Sequence, residues 1–249
     1  ILRRAEVAEC PVLVILADVP SFGYRPRDIR NGLSMPPKIT LNNIVNAMKR
    51  PHWAVNTLIN GQPNFEILKP YMPKNLNLNQ LAKFMDATFS GRLNEDKIKR
   101  IRDLWKGKLV LKGAESIHDV EKACQLGLDG VIVSNHGGRQ VDVGQATIDS
   151  LKTIVPSYKD KITIMMDSGI RGGADVARVM AHGADFSFLG RTFMYGVSAL
   201  GKKGGNHTIS MLKTQLLQVM EQLSCAKVSD LQNNLMDMDG TQIQAMELK

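Results

Sequence analysis

Two short apolar runs on either side of a helical pattern constrain this chain more than any other feature. Residues 109–111 and Gly130–Val133 have the length and continuous apolar character of buried strands, and residues 116–126 between them have helical periodicity. This order predicts a βαβ unit with two parallel strands. Ligands in such folds bind where parallel strands end. The sequence therefore predicts a ligand site directly after Leu111 and Val133.

The segment after the second strand carries the residue types of a catalytic site. It reads Ser-Asn-His-Gly-Gly-Arg-Gln over residues 134–140, and Lys112 ends the neighbouring strand. A histidine exchanges protons near neutral pH, an arginine can clamp a carboxylate with two hydrogen bonds, and the glycines let a planar ligand approach the backbone. At one edge of a sheet, this combination favours catalytic roles for His136 and Arg139.

Glycines and arginines also follow the two later strands. The predicted strand at 162–166 leads into Asp-Ser-Gly-Ile-Arg at 167–171 and then a helix at 174–182, and the strand at 186–189 leads into Gly190 and Arg191. Backbone N–H groups at a helix amino terminus bind phosphate together with a guanidinium. Two such loops on adjacent strands predict a phosphate site.

Five strands are predicted in all, at 12–17, 109–111, 130–133, 162–166 and 186–189, with further helices at 1–9, 41–48, 93–108 and 206–223. With 249 residues, of which 43% are hydrophobic, the chain has the length of a complete (β/α)8 barrel. Such a barrel needs eight strands. We therefore expect the carboxyl-terminal part of a longer protein, which by itself binds its cofactor poorly and is inactive.

These motifs resemble the family of FMN-dependent α-hydroxy-acid dehydrogenases and oxidases. The resemblance rests on residues 134–140 and 167–171, on Lys112, and on the pair formed by Gly190 and Arg191. Residues 28–89 are more similar to the membrane-associated L-lactate and (S)-mandelate dehydrogenases than to the soluble oxidases. The resemblance implies an α/β fold, a (β/α)8 TIM barrel of which this chain supplies about the last five strands. It also implies FMN as cofactor and oxidation of an L-2-hydroxy acid to the 2-oxo acid.

The resemblance assigns roles to individual residues. His136 is implied as the base, with Asp18 hydrogen-bonded to it, and Arg25 and Arg139 as the groups that hold the substrate carboxylate. The residues implied to contact the cofactor are Leu16, Lys112, Ser134, Asp167, Ser168, Gly169, Arg171, Gly190 and Arg191. Leu16 departs from the threonine that is usual in the family, and a leucine cannot donate a hydrogen bond to the flavin.

Residues 31–77 form a connection that is too long for an ordinary βα loop. In the dehydrogenase branch the corresponding segment attaches the enzyme to a membrane, so the resemblance implies peripheral membrane contact. A lid or packing segment without lipid contact is the alternative. We expect residues 1–235 to form the barrel part with this excursion, and residues 236–249 to be a disordered tail.

Composition limits the compartment and the partners. Cys10, Cys124 and Cys225 are too few and scattered for a disulfide framework, which favours a reducing, cytoplasmic compartment. Too few basic and aromatic residues interleave for a nucleic-acid surface. The formal net charge of +8 favours an anionic membrane surface or acidic ligands, or reflects only part of a longer chain. The resemblance adds the inner face of the plasma membrane, an electron acceptor (quinone, cytochrome or oxygen) and a homotetramer.

Two other interpretations stay open. A nucleoside-monophosphate dehydrogenase of the same architecture needs a nucleophilic cysteine on a loop after a strand, where none of the three cysteines falls. A truncated or degenerate family member would bind flavin or phosphate without turnover, which the five-strand count and Leu16 allow.

Overall fold

The computed structural model describes residues 2–21, 26–32, 40–61, 66–73, 76, 80, 83–84 and 92–236. The chain divides into two compact units, one made of Ile1–Val19 together with Arg92–Lys249 and the other of Pro20–Gly91. Two sequence predictions fall outside the described residues: the role of Arg25, and the disordered tail apart from Met236.

A five-stranded parallel sheet forms the centre of the first unit. Its strands are β1 (Val12–Leu16), β2 (Lys108–Ala114), β3 (Gly130–Val133), β4 (Thr163–Met166) and β5 (Phe186–Ser187). Neighbours in the chain are neighbours in the sheet, and every pair is parallel. All five predicted strands are confirmed, although β5 is shorter than predicted. This order is that of consecutive strands of a TIM barrel.

The described helices are α1 (Leu2–Val7), α2 (Pro26–Arg30), α3 (Leu41–Met48), α4 (Pro51–Asn60), α5 (Glu95–Leu104), α6 (Ile117–Gln125), α7 (Thr147–Tyr158), α8 (Gly173–Ala181), α9 (Arg191–Leu200) and α10 (Gly204–Gln222). In the first unit, α6, α7 and α8 each connect one strand to the next. The main apolar core lies between these helices and the sheet, and its fully buried members include Leu109, Val131 and Ile164 from strands and Val120, Leu151 and Ile154 from helices.

The helix predicted at 93–108 ends earlier than its periodicity indicated. It stops at Leu104, which is exposed, and Lys108 already belongs to β2. Arg102 stabilises the segment that follows the helix, because its guanidinium donates hydrogen bonds to the backbone oxygens of Trp105 and Gly107. Trp105 is buried in the core and donates from its ring nitrogen to the oxygen of Lys108 at 2.9 Å.

Two aspartates secure the end of the sheet opposite the predicted site. Asp129 accepts a hydrogen bond from the Leu109 N–H at 2.9 Å, and Asp185 accepts one from the Ile164 N–H at 2.8 Å. Burial alone raises the pKa of a carboxyl group, but hydrogen bonds from Lys108, the Leu109 N–H and Arg102 outweigh it and hold the pKa of Asp129 below its ordinary value. This contribution to stability is therefore present at neutral pH and is lost on acidification.

Close backbone packing fixes α8 and α9 against α10. A Cβ added to Gly173 would lie 2.3 Å from the backbone nitrogen of Leu216, and one added to Gly204 would lie 2.2 Å from the backbone oxygen of Gly196. Only glycine fits at such approaches. The packing of both helices, which follow β4 and β5, is thus set by α10.

Within the second unit, α3 and α4 follow each other closely in the sequence and contact each other. The prediction of α3 is confirmed, whereas α4 was not predicted. Thr40 caps α3 by accepting a hydrogen bond from the Asn43 N–H at 3.2 Å, and Pro51 occupies the first turn of α4, where its missing N–H costs nothing. Across the described parts of the chain, every helix is too short or too polar to cross a membrane.

Candidate active site

Three polar side chains, which follow β1, β3 and β4, meet around the ammonium group of Lys112 on β2. Its Nζ lies 3.2 Å from Oδ2 of Asp18 and 3.1 Å from Oδ2 of Asp167, and it donates to Oγ of Ser134 at 2.7 Å. Ser134 also donates to Oδ2 of Asp18 at 3.3 Å. The side chains of Asp18, Lys112 and Asp167 are 9%, 18% and 19% exposed, so one cation is held between two largely buried carboxylates. The electric field at this site is therefore set mainly by the charges of these three side chains.

A bulge at Gly113 brings Lys112 and Asp18 together. The pairing of β2 with β3 shifts between Lys112 and Ala114, and Gly113 has a φ of 101°. A Cβ at this position would lie 2.6 Å from Cβ of Asp18, so a side chain would keep the two strand ends apart. Bulges beside active sites re-aim side chains in this way. Sequence reasoning missed this role, although a glycine directly after the strand's last lysine was its signal.

The imidazole of His136 lies next to the same carboxylate. Its Nδ1 is 3.2 Å from Oδ2 of Asp18, but the two atoms are not aligned as a hydrogen bond. The other carboxylate oxygen, Oδ1 of Asp18, is buried and has no hydrogen-bond partner within the described part of the chain. The His136 N–H donates to Oγ of Ser134 at 3.1 Å. A largely buried carboxylate therefore lies directly beside the imidazole ring.

His136 lies in a left-handed turn that other side chains hold in place. The φ angles of His136, Gly137 and Gly138 are 55°, 69° and 70°. Oδ1 of Asn135 accepts hydrogen bonds from the Gly137 and Gly138 N–H groups at 3.0 and 3.2 Å. Asn135 was not among the predicted site residues, although an asparagine before such a turn often binds its own backbone two residues on. Strained residues of this kind cluster at functional sites.

The turn is also tied to the two later strands. Arg191 donates from Nη2 to the oxygen of Gly137 at 2.8 Å, and Ser168 accepts from the Gly137 N–H at 2.9 Å. Ser168 itself has a φ of 74° and donates to Oδ1 of Asp167 at 2.8 Å. Contacts thus connect the residues that follow β1, β2, β3, β4 and β5.

A cavity of about 260 Å³ opens beside this turn. It is lined by Lys112, His136, Gly137, Arg139, Asp167, Ser168, Gly169, Ile170, Arg171, Phe188, Leu189, Gly190, Arg191 and Met194. Nine of the predicted site residues thus line one cavity, and two more, Asp18 and Ser134, contact its Lys112. Leu16 is not among the lining residues; it ends β1, where it pairs in register with Lys112.

The two predicted phosphate loops differ in whether the backbone N–H groups at the helix amino terminus are already hydrogen-bonded within the protein. At α8, the N–H groups of Arg171 and Gly172 donate to Oδ2 of Asp175 at 2.9 and 3.1 Å, and Gly173 donates to Gln215. The first turn of α9 has no capping side chain and no acidic residue. We infer that α9, with Arg191 in its first turn, offers the better anion site.

A larger cavity of about 390 Å³ adjoins the same turn and shares Gly137, Ser168, Gly169, Ile170 and Arg191 with the smaller one. Its lining includes Asn135 and Gly138, together with Asp142 and Asp175, but neither Lys112 nor His136. The two carboxylates are matched by two arginines, Arg178 and Arg191, so this cavity differs from the smaller one in lacking the imidazole and Lys112. The smaller cavity, which brings together the cations and the imidazole, is therefore the candidate active site.

Comparison with known proteins places these features in a family context. The family of FMN-dependent dehydrogenases matches residues 1–238. The L-lactate dehydrogenase of Bartonella quintana is 37% identical over 221 residues, which are 88% of this chain and 57% of that enzyme. The L-lactate dehydrogenase of Alcaligenes faecalis is 34% identical over 236 residues, which are 94% of this chain and 62% of that enzyme.

Solved structures give the same result. The monotopic membrane protein (S)-mandelate dehydrogenase has a TM-score of 0.85 and 29% identity, covering 92% of this chain and 61% of its own. A mandelate oxidase has a TM-score of 0.69 and 27% identity, covering 92% and 57%. This chain therefore spans about three fifths of the length of the relatives it matches.

Proposed function

Because the chain belongs to the FMN-dependent dehydrogenase family, we propose that the complete protein oxidises an L-2-hydroxy acid of the lactate or mandelate type to its 2-oxo acid. The observation that carries the proposal is the contact of His136, Asp18 and Lys112 at one end of the sheet. A base, a carboxylate behind it and a cation are the groups that such an oxidation needs.

The donor set around the smaller cavity fits FMN. A Cβ built at Gly169 or Gly190 would meet nothing within 4 Å, so open space adjoins both loops. Arg191 and the uncapped first turn of α9 would hold the phosphate, and Lys112 the electron-rich edge of the ring. When bound, the flavin supplies the chemistry of a two-electron acceptor.

The substrate roles follow from charge and proton chemistry. Oxidation of a 2-hydroxy acid removes two electrons and two protons, so a base must stand beside the substrate. Arg139, exposed on the rim of the cavity, binds the carboxylate, and Arg25 is proposed to share this role because of its resemblance to the family's substrate-binding arginine. His136 accepts one of these two protons, and Asp18, 3.2 Å from Nδ1, stabilises the imidazolium that forms.

The positions of the cysteines argue against the rival dehydrogenase mechanism. Cys10 precedes β1, Cys124 lies in α6 and Cys225 follows α10. None of them lies after a strand, where a nucleophile would face the cavity.

We expect the purified complete protein to bind FMN and to lose the flavin's visible absorbance anaerobically on addition of L-lactate or (S)-mandelate. The L-isomer should act much faster than the D-isomer, because the carboxylate clamp and the base fix the position of the α-carbon. Propionate, which keeps the carboxylate but lacks the hydroxyl, is the control and should leave the spectrum oxidised. A protein that binds FMN and is bleached by dithionite but by no 2-hydroxy acid would refute the activity.

We also propose that α3 and α4 attach the protein to the surface of an anionic membrane. Their described apolar side chains are largely exposed: Leu41, Ile44, Met48, Trp53, Val55, Leu58 and Ile59. Exposed Lys49 and Arg50 lie between the helices. Apolar side chains beside basic ones favour the interface of anionic lipids, and a structural relative is itself described as a monotopic membrane protein.

Replacing both Leu58 and Ile59 by serine is expected to weaken binding to vesicles that contain phosphatidylglycerol. The two side chains are 83% and 75% exposed, so the change costs little packing but removes most of the apolar area that they offer to lipid. Vesicle co-sedimentation measures the loss. Val7→Ser is the control, since Val7 is 79% exposed in the other unit. Equal binding of the double variant and the parent protein would exclude this surface.

The remaining partners are proposed from the resemblance to the dehydrogenase branch. We propose a quinone, a cytochrome or oxygen as electron acceptor, and a homotetramer at the cytoplasmic face of the plasma membrane. The net charge of +8 supports contact with an anionic surface.

A further inference from the structure

We propose that Ser168 is a positioning residue that couples the base-bearing turn to the counter-ion of Lys112. The inference rests on the proposed function and adds to it. Ser168 was expected to touch the cofactor, yet its hydroxyl is used within the protein: it accepts from the Gly137 N–H at 2.9 Å and donates to Oδ1 of Asp167 at 2.8 Å.

These two bonds close a ring of contacts. Oδ2 of Asp167 pairs with Lys112, Lys112 pairs with Asp18, and Asp18 lies against His136, which precedes Gly137 in the chain. Through Ser168, the carboxylate that balances Lys112 is thus bonded to the backbone beside the base. A change at this hydroxyl must act on both the turn and the cation.

The backbone conformation of Ser168 supports a specific role for its hydroxyl group. Its φ of 74° lies in the left-handed region, which costs a serine more than a glycine. Gly169, the next residue, has nearly the same φ, and a Cβ there would meet nothing within 4 Å. A glycine at position 168 would thus relieve the backbone strain. The advantage of serine over glycine at this position is its hydroxyl group.

The hydroxyl also sets the charge that Asp167 presents. A hydrogen bond from Ser168 draws part of the carboxylate's negative charge away from Lys112. Without it, Asp167 neutralises Lys112 more completely, and a cofactor that becomes negative on reduction is stabilised less. Loss of the hydroxyl should therefore make the midpoint potential of bound FMN more negative, and by less than loss of Lys112 itself.

The test compares Ser168→Ala with Ser168→Gly in the complete, FMN-loaded protein. Both lack the hydroxyl, but only alanine keeps the strained backbone. We expect both to reduce kcat for 2-hydroxy-acid oxidation on the order of ten- to a hundredfold through a loosened turn, and to shift the potential to similar, more negative values. In urea the alanine variant should unfold at a lower concentration than the glycine variant. Ser157→Ala, at an exposed site on α7, should change none of these.

The possible outcomes distinguish a role of the Ser168 hydroxyl from an effect of backbone strain. A defect in the alanine variant that glycine abolishes would mean that backbone strain, not the hydroxyl, is responsible, and would overturn the proposal. Unchanged kcat and potential in both variants would overturn it as well. If the parent protein binds FMN but no 2-hydroxy acid reduces it, the proposed activity fails, while the potentials still decide whether Ser168 acts on the Lys112 site.

Discussion

Replacing His136 by asparagine is expected to slow the reduction of bound FMN by a 2-hydroxy acid by about 10²- to 10⁴-fold, the contribution of general-base catalysis. Asparagine is the matched substitution, because His136 has a φ of 55° and asparagine tolerates this region at least as well as histidine does. The flavin should stay bound, since the contacts of Lys112 with Asp18 and Ser134 do not involve the imidazole. Anaerobic stopped-flow mixing with substrate measures the rate.

A dithionite titration of the same variant provides the control, because dithionite reduces the flavin without a base. His207→Asn gives a second control, since His207 is exposed on α10 and lines neither cavity in the described part of the chain. If His136→Asn loses its flavin, or is reduced by substrate at the parent rate, then His136 has a structural role and another group takes the proton.

The sheet could be predicted because its strands are uninterrupted apolar runs that end in polar residues. A run such as Gly130–Val133 is buried on both faces, and its end is marked by Ser134. Since parallel strands end at the same edge, the sequence also predicted that Lys112 and His136 would lie near each other. Local pattern and topology together were enough for this part of the site.

Other features depend on contacts between distant parts of the chain, which periodicity does not contain. The segment after α5 depends on Arg102 and a buried Trp105, and the capping of α8 depends on Gln215, which reaches Gly173 from α10. The same holds for the approach of Asp18 to Gly113, whose bulge has no signature beyond a glycine. Most residues around the candidate site were named from the sequence, but Asn135, the role of Gly113 and the contacts that orient the side chains were not.

Replacing Lys112 by methionine is expected to act on the cofactor and on the fold, in contrast to the change at His136. A hydrogen-bonded charge contributes about 1.5–3 kcal/mol, and for a two-electron couple about 1.4 kcal/mol corresponds to 30 mV. Loss of the cation should therefore lower the midpoint potential of bound FMN by about 30 to 60 mV. It also removes the cation that pairs with both Asp18 and Asp167, two largely buried carboxylates. Removing one partner of a buried ion pair costs about 3–5 kcal/mol, so this variant should also unfold at lower urea concentration.

Lys112→Arg separates the two effects, because it keeps the charge while changing the shape of the donor. If the cation sets the potential, the arginine variant should stay near the parent value although its fit between Ser134 and the two aspartates is poorer. Dithionite titration against a dye of known potential measures this, and urea unfolding of the same samples records the loss of stability. A methionine variant that keeps FMN and the parent potential would show that Lys112 only neutralises Asp18 and Asp167. The electrostatic role proposed for it would then be wrong, whatever happened to the stability.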